Sequence, residues 1–372
     1  MEQEYRGKYN KIHVAIVGAG ASGCMCAYFL SKEGIDVTLF DKASPLRTLL
    51  PTGGGRCNLA HAEYDFKELA KNYPRGEKFL FSLFSRFATA ETIATFEEMG
   101  INTYTQDDNR IFPESNSAKE VRETLLNELT GVKFIKKEIK SLKELDFTHI
   151  VIATGGHSGY ELLKELDINI IEPKPSLVGL NTKEKFNDIS GTVCKGVVAN
   201  GLNGDVLFTH FGLSGPLIYK ISSIKAFDSF PYELELDLAP NLEDLQSILN
   251  IYPHKEIKNI LKEHLPHKVV SKILVGIDET TKAHQINGKT RDLILEKIHH
   301  FKVTVTGTNK GEETVTAGGV DLNEINPKTM EVKKFPNLFC IGEVLNIDGF
   351  CGGFNLQNAW TTAFVAAEKI KQ

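Results

Sequence analysis

Several features that would narrow the function at once are missing from this sequence. No run of about 18 apolar residues occurs, so no membrane-spanning helix is expected. The six cysteines include no Cys-x-x-Cys pair, and we expect neither a metal site nor a disulfide framework. Residues 1–11 lack the apolar stretch of a signal peptide, and free thiols suit a reducing compartment. We therefore expect a cytoplasmic protein without a membrane partner.

An excess of positive charge is also missing. The 372 residues carry a net charge of −5, with 41% hydrophobic and 24% charged residues, which is an ordinary globular balance. A negative net charge disfavours a nucleic-acid backbone as the main partner, so we expect a small-molecule substrate and no nucleic acid. The length predicts two or three domains, and no feature indicates an oligomeric state.

A dinucleotide-binding fingerprint stands near the N-terminus. Residues 13–17 form a short apolar run, and residues 18–23 read GAGASG, with the spacing G-x-G-x-x-G. In this motif the first glycine permits a tight turn, the second lets the backbone approach a pyrophosphate, and the third lets helix and strand pack closely. The N-terminus of the following helix favours phosphate. The cofactor-binding residues predicted here are Gly18, Gly20, Ala21, Ser22 and Gly23.

An acidic residue follows at the expected distance. Residues 35–40 form a second β-rich run, and Asp41 comes directly after it, 18 residues beyond Gly23. A carboxylate at this position accepts ribose hydroxyls and repels a 2′-phosphate, which favours FAD or NAD over NADP. We predict that Asp41 and its neighbour Lys42 line the adenosine end of the site.

Three later segments favour FAD over NAD. Residues 52–58 read TGGGRCN, residues 154–156 read TGG after a buried strand, and residues 339–359 form a strand, a glycine-rich loop and a helix. A long FAD needs a second anchor far along the chain, whereas NAD domains rarely do. The residues predicted to contact FAD in these segments are Gly54, Gly55, Arg56, Cys57, Asn58, Thr154, Gly155, Gly156, Gly342, Glu343, Gly352, Gly353, Asn355, Leu356 and Gln357.

Patterns in the remaining chain predict its organisation. Residues 62–130 are mostly helical by pattern, and residues 132–142 are predicted to form a strand. Short strand-like runs between Gly, Pro and Asn predict a β-rich module over 168–240, followed by charged helices over 241–299. The clearest predicted helices are Phe66–Lys71, Phe79–Phe87, Ala90–Met99, Ala118–Leu129, Asn241–Asn250, Glu256–Glu263 and Leu293–His299.

Taken together, these blocks resemble the BaiN/RdsA family of flavoproteins, which are also described as aminoacetone-oxidase-like. The resemblance spans nearly the whole chain in order. It rests on the fingerprint with Asp41 and on residues 51–59, 109–115, 153–156, 209–216, 316–320 and 342–359.

The resemblance implies an α/β fold with a Rossmann-type FAD-binding domain built from both chain ends. It also implies an inserted β-barrel-like domain and a small helical insert within that domain. The predicted boundaries are 1–167 and 315–372 for the FAD-binding domain, 168–240 and 300–314 for the β-rich insert, and 241–299 for the helical insert.

The resemblance implies an FAD-dependent oxidoreductase and leaves its substrate open. Family members resemble amine oxidases or reductases of activated double bonds that use a nicotinamide donor. Because the chain has one full fingerprint, any NAD(P)H would have to reach the flavin directly as a transient electron donor. We expect a small-molecule substrate. The alternative is a flavoprotein with a macromolecular role, such as RNA modification or regulatory binding.

Few side chains qualify as catalytic acids or bases. No Ser–His–Asp or Cys–His set has a spacing that suggests hydrolysis, so the flavin is expected to carry the chemistry. His210, in a glycine-rich block of the β-rich module, is a candidate for proton transfer. Arg110 is a candidate for binding a substrate carboxylate or the cofactor. For Cys57, packing is favoured over a redox role.

Overall fold

The computed structural model describes residues 11–309, 311 and 315–372. These residues form two compact units. We call the described residues up to 174 together with those from 315 the terminal unit, and those between 175 and 314 the central unit. Within the described chain, no helix has the length and apolar character needed to cross a membrane.

The strands are numbered in chain order. They are β1 (His13–Val17), β2 (Asp36–Asp41), β3 (Ala60–His61), β4 (Thr103–Thr105), β5 (Arg110–Pro113), β6 (Lys133–Lys136), β7 (His149–Ile152), β8 (Ile170–Ser176), β9 (Leu180–Thr182), β10 (Val193–Ala199), β11 (Leu202–Phe208), β12 (Gly212–Ser214), β13 (Tyr232–Leu236), β14 (Phe301–Thr308), β15 (Val315–Val320) and β16 (Leu338–Cys340).

The α-helices are numbered in the same way. They are α1 (Ala21–Lys32), α2 (Phe66–Ala70), α3 (Glu77–Phe84), α4 (Thr89–Glu98), α5 (Ala118–Glu128), α6 (Tyr160–Lys164), α7 (Pro216–Ile224), α8 (Leu245–Ile251), α9 (Ile257–Leu261), α10 (His267–Ile273), α11 (Gly288–His299) and α12 (Phe354–Ile370).

A five-stranded parallel sheet forms the core of the terminal unit, in the order β16-β7-β1-β2-β6. The middle strand β1 is apolar along its length because a central parallel strand is covered on both faces, and Val14, Ala15 and Ile16 are fully buried. Helices α1 and α12 pack against each other and share the core with the sheet. The two chain ends therefore build one Rossmann-type domain, as predicted.

A small antiparallel sheet of order β3-β5-β4 also belongs to the terminal unit. The predicted helices of residues 62–130 are present, but the three strands among and beside them were not predicted. Each strand is only two to four residues long, so it is too short for a period-2 pattern to be recognised. The predicted strand over 132–142 was also too long, because only Lys133–Lys136 pairs with β2.

The central unit is built on a six-stranded antiparallel sheet of order β10-β11-β12-β9-β14-β13. Val198 of β10 and Asp237, directly after β13, exchange two backbone hydrogen bonds of 3.0 and 2.8 Å, which joins the sheet's two edges. This closure confirms the predicted barrel-like character. Helices α8 to α11 are inserted between β13 and β14. Helix α7, inside the predicted β-rich segment, was not predicted, because it is shorter than the usual period-based window.

Candidate functional site

The fingerprint turn between β1 and α1 depends on close backbone packing. Gly18 has a φ of +109°, and a Cβ on it would lie 2.2 Å from the carbonyl oxygen of Ala153. A Cβ on Gly23 would lie 1.9 Å from the carbonyl oxygen of Gly18. Both positions therefore require glycine for the fold itself, independently of any ligand.

Gly20 differs because the protein leaves room beside it. It is the N-cap of α1 with a φ of −81°, and the nearest atom to an added Cβ is Thr48 Oγ1 at 3.9 Å. Ala21 and Ser22 open the helix, whose first-turn N–H groups have no acceptor within the helix. An open space in front of a helix N-terminus fits a phosphate group.

Asp41 stands at the carboxyl end of β2, next to this turn. Its Oδ2 accepts a hydrogen bond from the Ala19 N–H and its Oδ1 accepts one from the Ala43 N–H, both at 2.8 Å. The carboxylate is thereby fixed in orientation, and its remaining lone pairs can accept hydroxyl groups. Lys42 lines the same cleft and pairs with Glu138 at 3.2 Å.

The glycine-rich loop of residues 52–58 is tightly turned. Gly53, Gly54 and Gly55 all have positive φ, and added Cβ atoms at the last two would meet open space or only a distant carbonyl. The Arg56 guanidinium lies 4.1 Å from the centre of the Phe112 ring. Cys57 is buried, and burial raises the pKa of its thiol to about 12, so it does not have the thiolate character of a redox centre.

Glu343 and Thr154 bring two other predicted segments together. A Cβ on Gly156 would lie 3.0 Å from Glu343 Oε1, which also accepts a hydrogen bond of 2.8 Å from the Thr316 N–H. Burial raises the pKa of Glu343. Thr154 Oγ1 is buried and makes no hydrogen bond to any described residue. A buried hydroxyl of this kind is normally satisfied, so it fits a polar ligand group. Gly155 has a φ of +76°, and an added Cβ would meet nothing within 4 Å.

Gly342, two residues after β16, packs closely against α1. A Cβ on Gly342 would lie 2.5 Å from Ser22 Oγ, and the Gly342 N–H donates to Thr362 Oγ1 at 2.9 Å. The chain after β16 is therefore packed directly on α1. Asn358, one turn earlier on α12, is buried, and its Oδ1 has no partner among the described residues.

Two glycines with positive φ come directly before the first residue of α12. Gly352 and Gly353 have φ values of +135° and +96°, and a Cβ on Gly353 would lie 2.4 Å from the carbonyl oxygen of Ala60. With the Asn58 amide oriented so that its nitrogen donates to the Ile111 and Ala60 carbonyls, its Oδ1 accepts from the Gly353 N–H at 2.9 Å. The first-turn N–H groups that follow are left for another acceptor.

Three predicted contact residues near this helix end face different environments. Asn355 Nδ2 donates to the Gly349 carbonyl and its Oδ1 accepts from the Gly349 N–H, both at 2.8 Å. The buried Gln357 side chain bonds to Thr92 and Thr361 at 3.1 Å. Leu356 is partly buried against the core. The side chains of Asn355 and Gln357 are therefore committed to the protein, and only their backbone could serve a cofactor.

Sequence reasoning missed a group of residues beneath the same helix end. His61 Nδ1 lies 3.1 Å from the Gly352 carbonyl oxygen, and its ring stacks on Phe354 at 4.6 Å. Burial lowers the pKa of His61. Arg75 forms a bidentate ion pair with the fully buried Asp348. No spacing in the sequence connects positions nearly 300 residues apart, so only the fold reveals these partners.

The two catalytic candidates lie in different units. Arg110, in the terminal unit, is the register partner of His61 in the small sheet and pairs with Asp108 at 2.6 Å. His210, in the central unit, lies in the turn between β11 and β12, with its ring 5.3 Å from that of Phe211. Both roles remain predictions.

The terminal unit has the features that the predicted FAD requires. Gly20 leaves open space at a helix N-terminus, and Asp41 presents fixed acceptors at the adjacent strand end. The buried unpartnered oxygens of Thr154 and Asn358 offer further polar contacts in the same unit. A second helix N-terminus, at Gly353, can face the pyrimidine end of a flavin.

Two relatives and one solved structure resemble this chain over almost its whole length. The ribosomal RNA dihydrouridine synthase of Escherichia coli (strain K12) is 30% identical over 396 residues, covering 95% of this chain and 97% of the relative. The 3-dehydro-bile acid delta(4,6)-reductase of Clostridium scindens is 26% identical over 402 residues, covering 95% of this chain and 97% of the relative. The structure of 3-ketosteroid delta1-dehydrogenase from Sterolibacterium denitrificans shares the fold, with a TM-score of 0.50, 12% identity, and coverage of 97% of this chain and 99% of that chain.

The HI0933-like protein Rossmann domain matches residues 12–369. This match confirms the predicted resemblance to the BaiN/RdsA family and the Rossmann nucleotide-binding fold. It also confirms the prediction of an enzyme, a flavoprotein oxidoreductase, and leaves the substrate open. The chain belongs to the HI0933-like Rossmann family.

Proposed function

We propose that this chain is an FAD-dependent reductase of an activated carbon–carbon double bond, and that its substrate is a uridine of ribosomal RNA. The observation that carries the proposal is the 30% identity to a ribosomal RNA dihydrouridine synthase along almost the whole length of both chains. Dihydrouridine differs from uridine by two hydrogens across the C5–C6 bond of the base. Because this relative is named as a ribosomal RNA dihydrouridine synthase, the sequence-based expectation of no nucleic-acid partner loses its support.

The chemistry requires a hydride on one carbon and a proton on its neighbour. Bound FAD, once reduced, would supply the hydride, and water or an acidic side chain would supply the proton. We propose NADH or NADPH as the transient electron donor, because the sequence has one full dinucleotide fingerprint and that site is assigned to FAD.

This chain's own residues would hold the cofactor by polar contacts. The N-terminus of α1 at Gly20 would bind the pyrophosphate, and Asp41 would accept the ribose hydroxyls. Thr154 and Glu343 would bind hydroxyls along the chain between the two rings. The N-terminus of α12 would stabilise negative charge at the pyrimidine end.

Two guanidinium groups beside the same region suit a nucleotide substrate. Arg56 and Arg110 lie 4.1 and 5.7 Å from the centre of the Phe112 ring. Asp108 neutralises Arg110, while the Nε of Arg56 donates to the Gly53 carbonyl, and its other N–H groups have no hydrogen-bond partner among the described residues. Arg56 is therefore the better candidate for binding a phosphate or a base carbonyl oxygen of the substrate.

A second candidate is a reductase of a small unsaturated molecule. The 26% identity to a bile-acid reductase, also over almost the full length, favours it. The net charge of −5 agrees with this alternative. Both candidate reactions add hydrogen across a conjugated double bond. They differ in the molecule that contains this bond, which is an RNA base in the first and a small molecule in the second.

An anaerobic titration separates the two. The purified protein is reduced with NADH or NADPH while the flavin absorbance is followed, and the reduced enzyme is then mixed with a ribosomal RNA transcript or with an unsaturated steroid ketone. The proposal expects the RNA, and not the ketone, to reoxidise the flavin. Reoxidation by the ketone alone would contradict it, and failure of either nucleotide to bleach the flavin would contradict the proposed donor.

A further inference from the structure

The central unit carries a concentration of positive charge in a segment to which no function has yet been assigned. Residues 252–272 contain five lysines and two glutamates, a net +3 within a chain of net charge −5. The same segment contains His254, His264 and His267. Since the other residues of the chain together carry a net charge of −8, this segment is where a polyanion would be attracted to the central unit.

Ion pairs inside the segment neutralise its acidic groups and leave some lysines over. Lys255 pairs with Glu263, and Lys258 pairs with Glu256 at 3.3 Å. The turn of residues 262–268, called here the basic turn, then presents Lys262, His264, His267 and Lys268 as exposed side chains. Within the described chain, neither Lys262 nor Lys268 has an acidic partner within 4.0 Å.

The basic turn is held in place by its apolar residues. It runs from the end of α9 into the first residues of α10. Leu265 within it, and Leu261 and Val269 at its two ends, are buried in the core of the central unit. The Leu265 N–H donates to the Leu261 carbonyl at 2.9 Å, and the Val270 N–H donates to the Pro266 carbonyl at 3.0 Å. The charged side chains therefore project from a fixed support, which lowers the entropy cost of binding.

Neighbouring side chains extend this surface in two directions. Lys255, which pairs with Glu263 of the basic turn, lies 5.0 Å from the centre of the Tyr252 ring, and Tyr252 is 45% exposed. An exposed aromatic side chain therefore adjoins the basic turn. In the other direction, Lys272 of α10 pairs with Asp188 at 2.9 Å, which connects the surface to the segment carrying the exposed Lys185. Lysines with an adjoining aromatic ring are the side chains that bind nucleic-acid backbones and stack bases.

We propose that the basic turn, with Tyr252 and Lys185 beside it, is the surface that binds the backbone of the RNA substrate. This inference rests on the proposed function for the identity of the RNA. It goes beyond it by assigning substrate binding to the helical insert of the central unit. The lysines would contact phosphates without reading the base sequence.

A second basic segment in the terminal unit has a different explanation and provides a matched control. Residues 133–143 contain five lysines and one glutamate, and Lys133 and Lys136 are exposed on β6. Strand β6 is the edge of the parallel sheet. Lysines on an edge strand prevent pairing with other chains, so this charge is accounted for without a ligand.

The test compares two charge reversals of equal size in the full-length FAD-loaded protein. Lys262→Glu/Lys268→Glu changes the basic turn, and Lys133→Glu/Lys136→Glu changes β6. Binding of a fluorescent ribosomal RNA transcript is measured by anisotropy at several salt concentrations. We expect the first variant to bind at least tenfold more weakly, with a slope of log affinity against log salt reduced by about 1 to 2, and the second to stay within about twofold of wild type.

Several results would overturn this assignment. Wild-type affinity in the basic-turn variant, an equal loss in the β6 variant, or no RNA binding by the wild type would each contradict it. So would binding to phosphatidylglycerol vesicles that the basic-turn variant loses while its RNA affinity is unchanged. Lys262→Gln/Lys268→Gln, expected to show about half the effect on the salt slope, guards against a folding defect.

The binding test is independent of turnover. Flavin reduction by the nicotinamide donor without RNA should be unchanged in the basic-turn variants, since Lys262 and Lys268 lie outside the terminal unit. If the wild type binds RNA through the basic turn but forms no dihydrouridine, the docking surface stands and the proposed reaction fails. If dihydrouridine forms with unchanged RNA affinity in the basic-turn variant, the reaction stands and the docking surface fails.

Discussion

Gly20→Ala should separate cofactor binding from folding. Only Thr48 Oγ1, at 3.9 Å, lies near the added methyl group, and a φ of −81° is acceptable to alanine. Alanine is a poorer N-cap than glycine, but it also lowers the entropy of the unfolded chain by roughly 0.4–1 kcal/mol. We expect these effects to offset, so the free energy of unfolding of the apoprotein should change by less than about 0.5 kcal/mol.

The same methyl group would occupy the opening assigned to the pyrophosphate. Inserting a methyl into a close contact costs about 1–3 kcal/mol, which corresponds to a roughly 5- to 150-fold higher Kd for FAD. The Kd is measured by titrating apoprotein with FAD and following flavin fluorescence. Unfolding is measured on the apoprotein, because bound FAD would itself raise the apparent stability.

Two other glycines serve as controls. Gly288 begins α11 in the central unit, and an added Cβ there would also meet one atom, Arg291 Nη2, at 3.9 Å, so Gly288→Ala should leave FAD affinity unchanged and raise the free energy of unfolding by roughly 0.4–1 kcal/mol. Gly23→Ala should destabilise the fold, because its Cβ would lie 1.9 Å from the Gly18 carbonyl oxygen. Wild-type FAD affinity in Gly20→Ala, or a loss of affinity matched by a loss of apoprotein stability, would refute the reasoning.

The remaining predictions concern single side chains of the terminal unit. Asp41→Ala should weaken FAD binding by about 1–3 kcal/mol in the same titration, and Asp41→Asn, which keeps an acceptor for the Ala19 N–H, should weaken it less. Arg75→Met should lower the free energy of unfolding in urea by about 3–5 kcal/mol, because it leaves a fully buried Asp348 without its ion pair; a loss under about 1 kcal/mol would contradict this. One thiol, Cys351, should react quickly with a disulfide reagent in the native protein, and all six should react in urea, since the other five are buried. Glu343→Gln should raise stability near pH 7: burial raises the pKa of this carboxyl in the folded protein, so stability is lost as the pH rises from about 4.5, its ordinary pKa, towards the raised value, and the gain should vanish below about pH 4.5.

The cofactor side of the fold could be predicted because its signals are local. The fingerprint, Asp41 and the flanking strands lie within 30 residues, and each imposes a distinct residue type on a short turn. The apolar runs of β1 and β7 are continuous because both strands lie inside a parallel sheet. The sequence therefore specifies this region through several independent requirements that agree.

Other parts of the site depend on distant pairings that no local pattern contains. His61 meets Gly352 across 291 residues, and Arg75 meets Asp348 across 273. The three short strands of the small sheet bring His61 beside Arg110 with too few residues to show a period. The basic turn, which we propose to bind RNA, is likewise hidden by the overall charge of −5.

Gly353 has a structural role that the sequence did not reveal. The sequence analysis predicts it as a cofactor contact, since a glycine before a helix lets the backbone approach a ligand closely. In the structure, its φ of +96° and a Cβ position 2.4 Å from the Ala60 carbonyl oxygen make glycine a requirement of the fold. Gly20 is therefore the better position for testing the cofactor site.

A single-turnover reaction tests the central claim most directly. The enzyme is reduced anaerobically with NADH, separated from the remaining nucleotide, and mixed with a ribosomal RNA transcript. Oxidised FAD is then quantified by absorbance and dihydrouridine by mass spectrometry of the digested RNA. The account predicts one dihydrouridine formed for each flavin reoxidised. Flavin that stays reduced in the presence of RNA, or reoxidises without dihydrouridine formation, would contradict it.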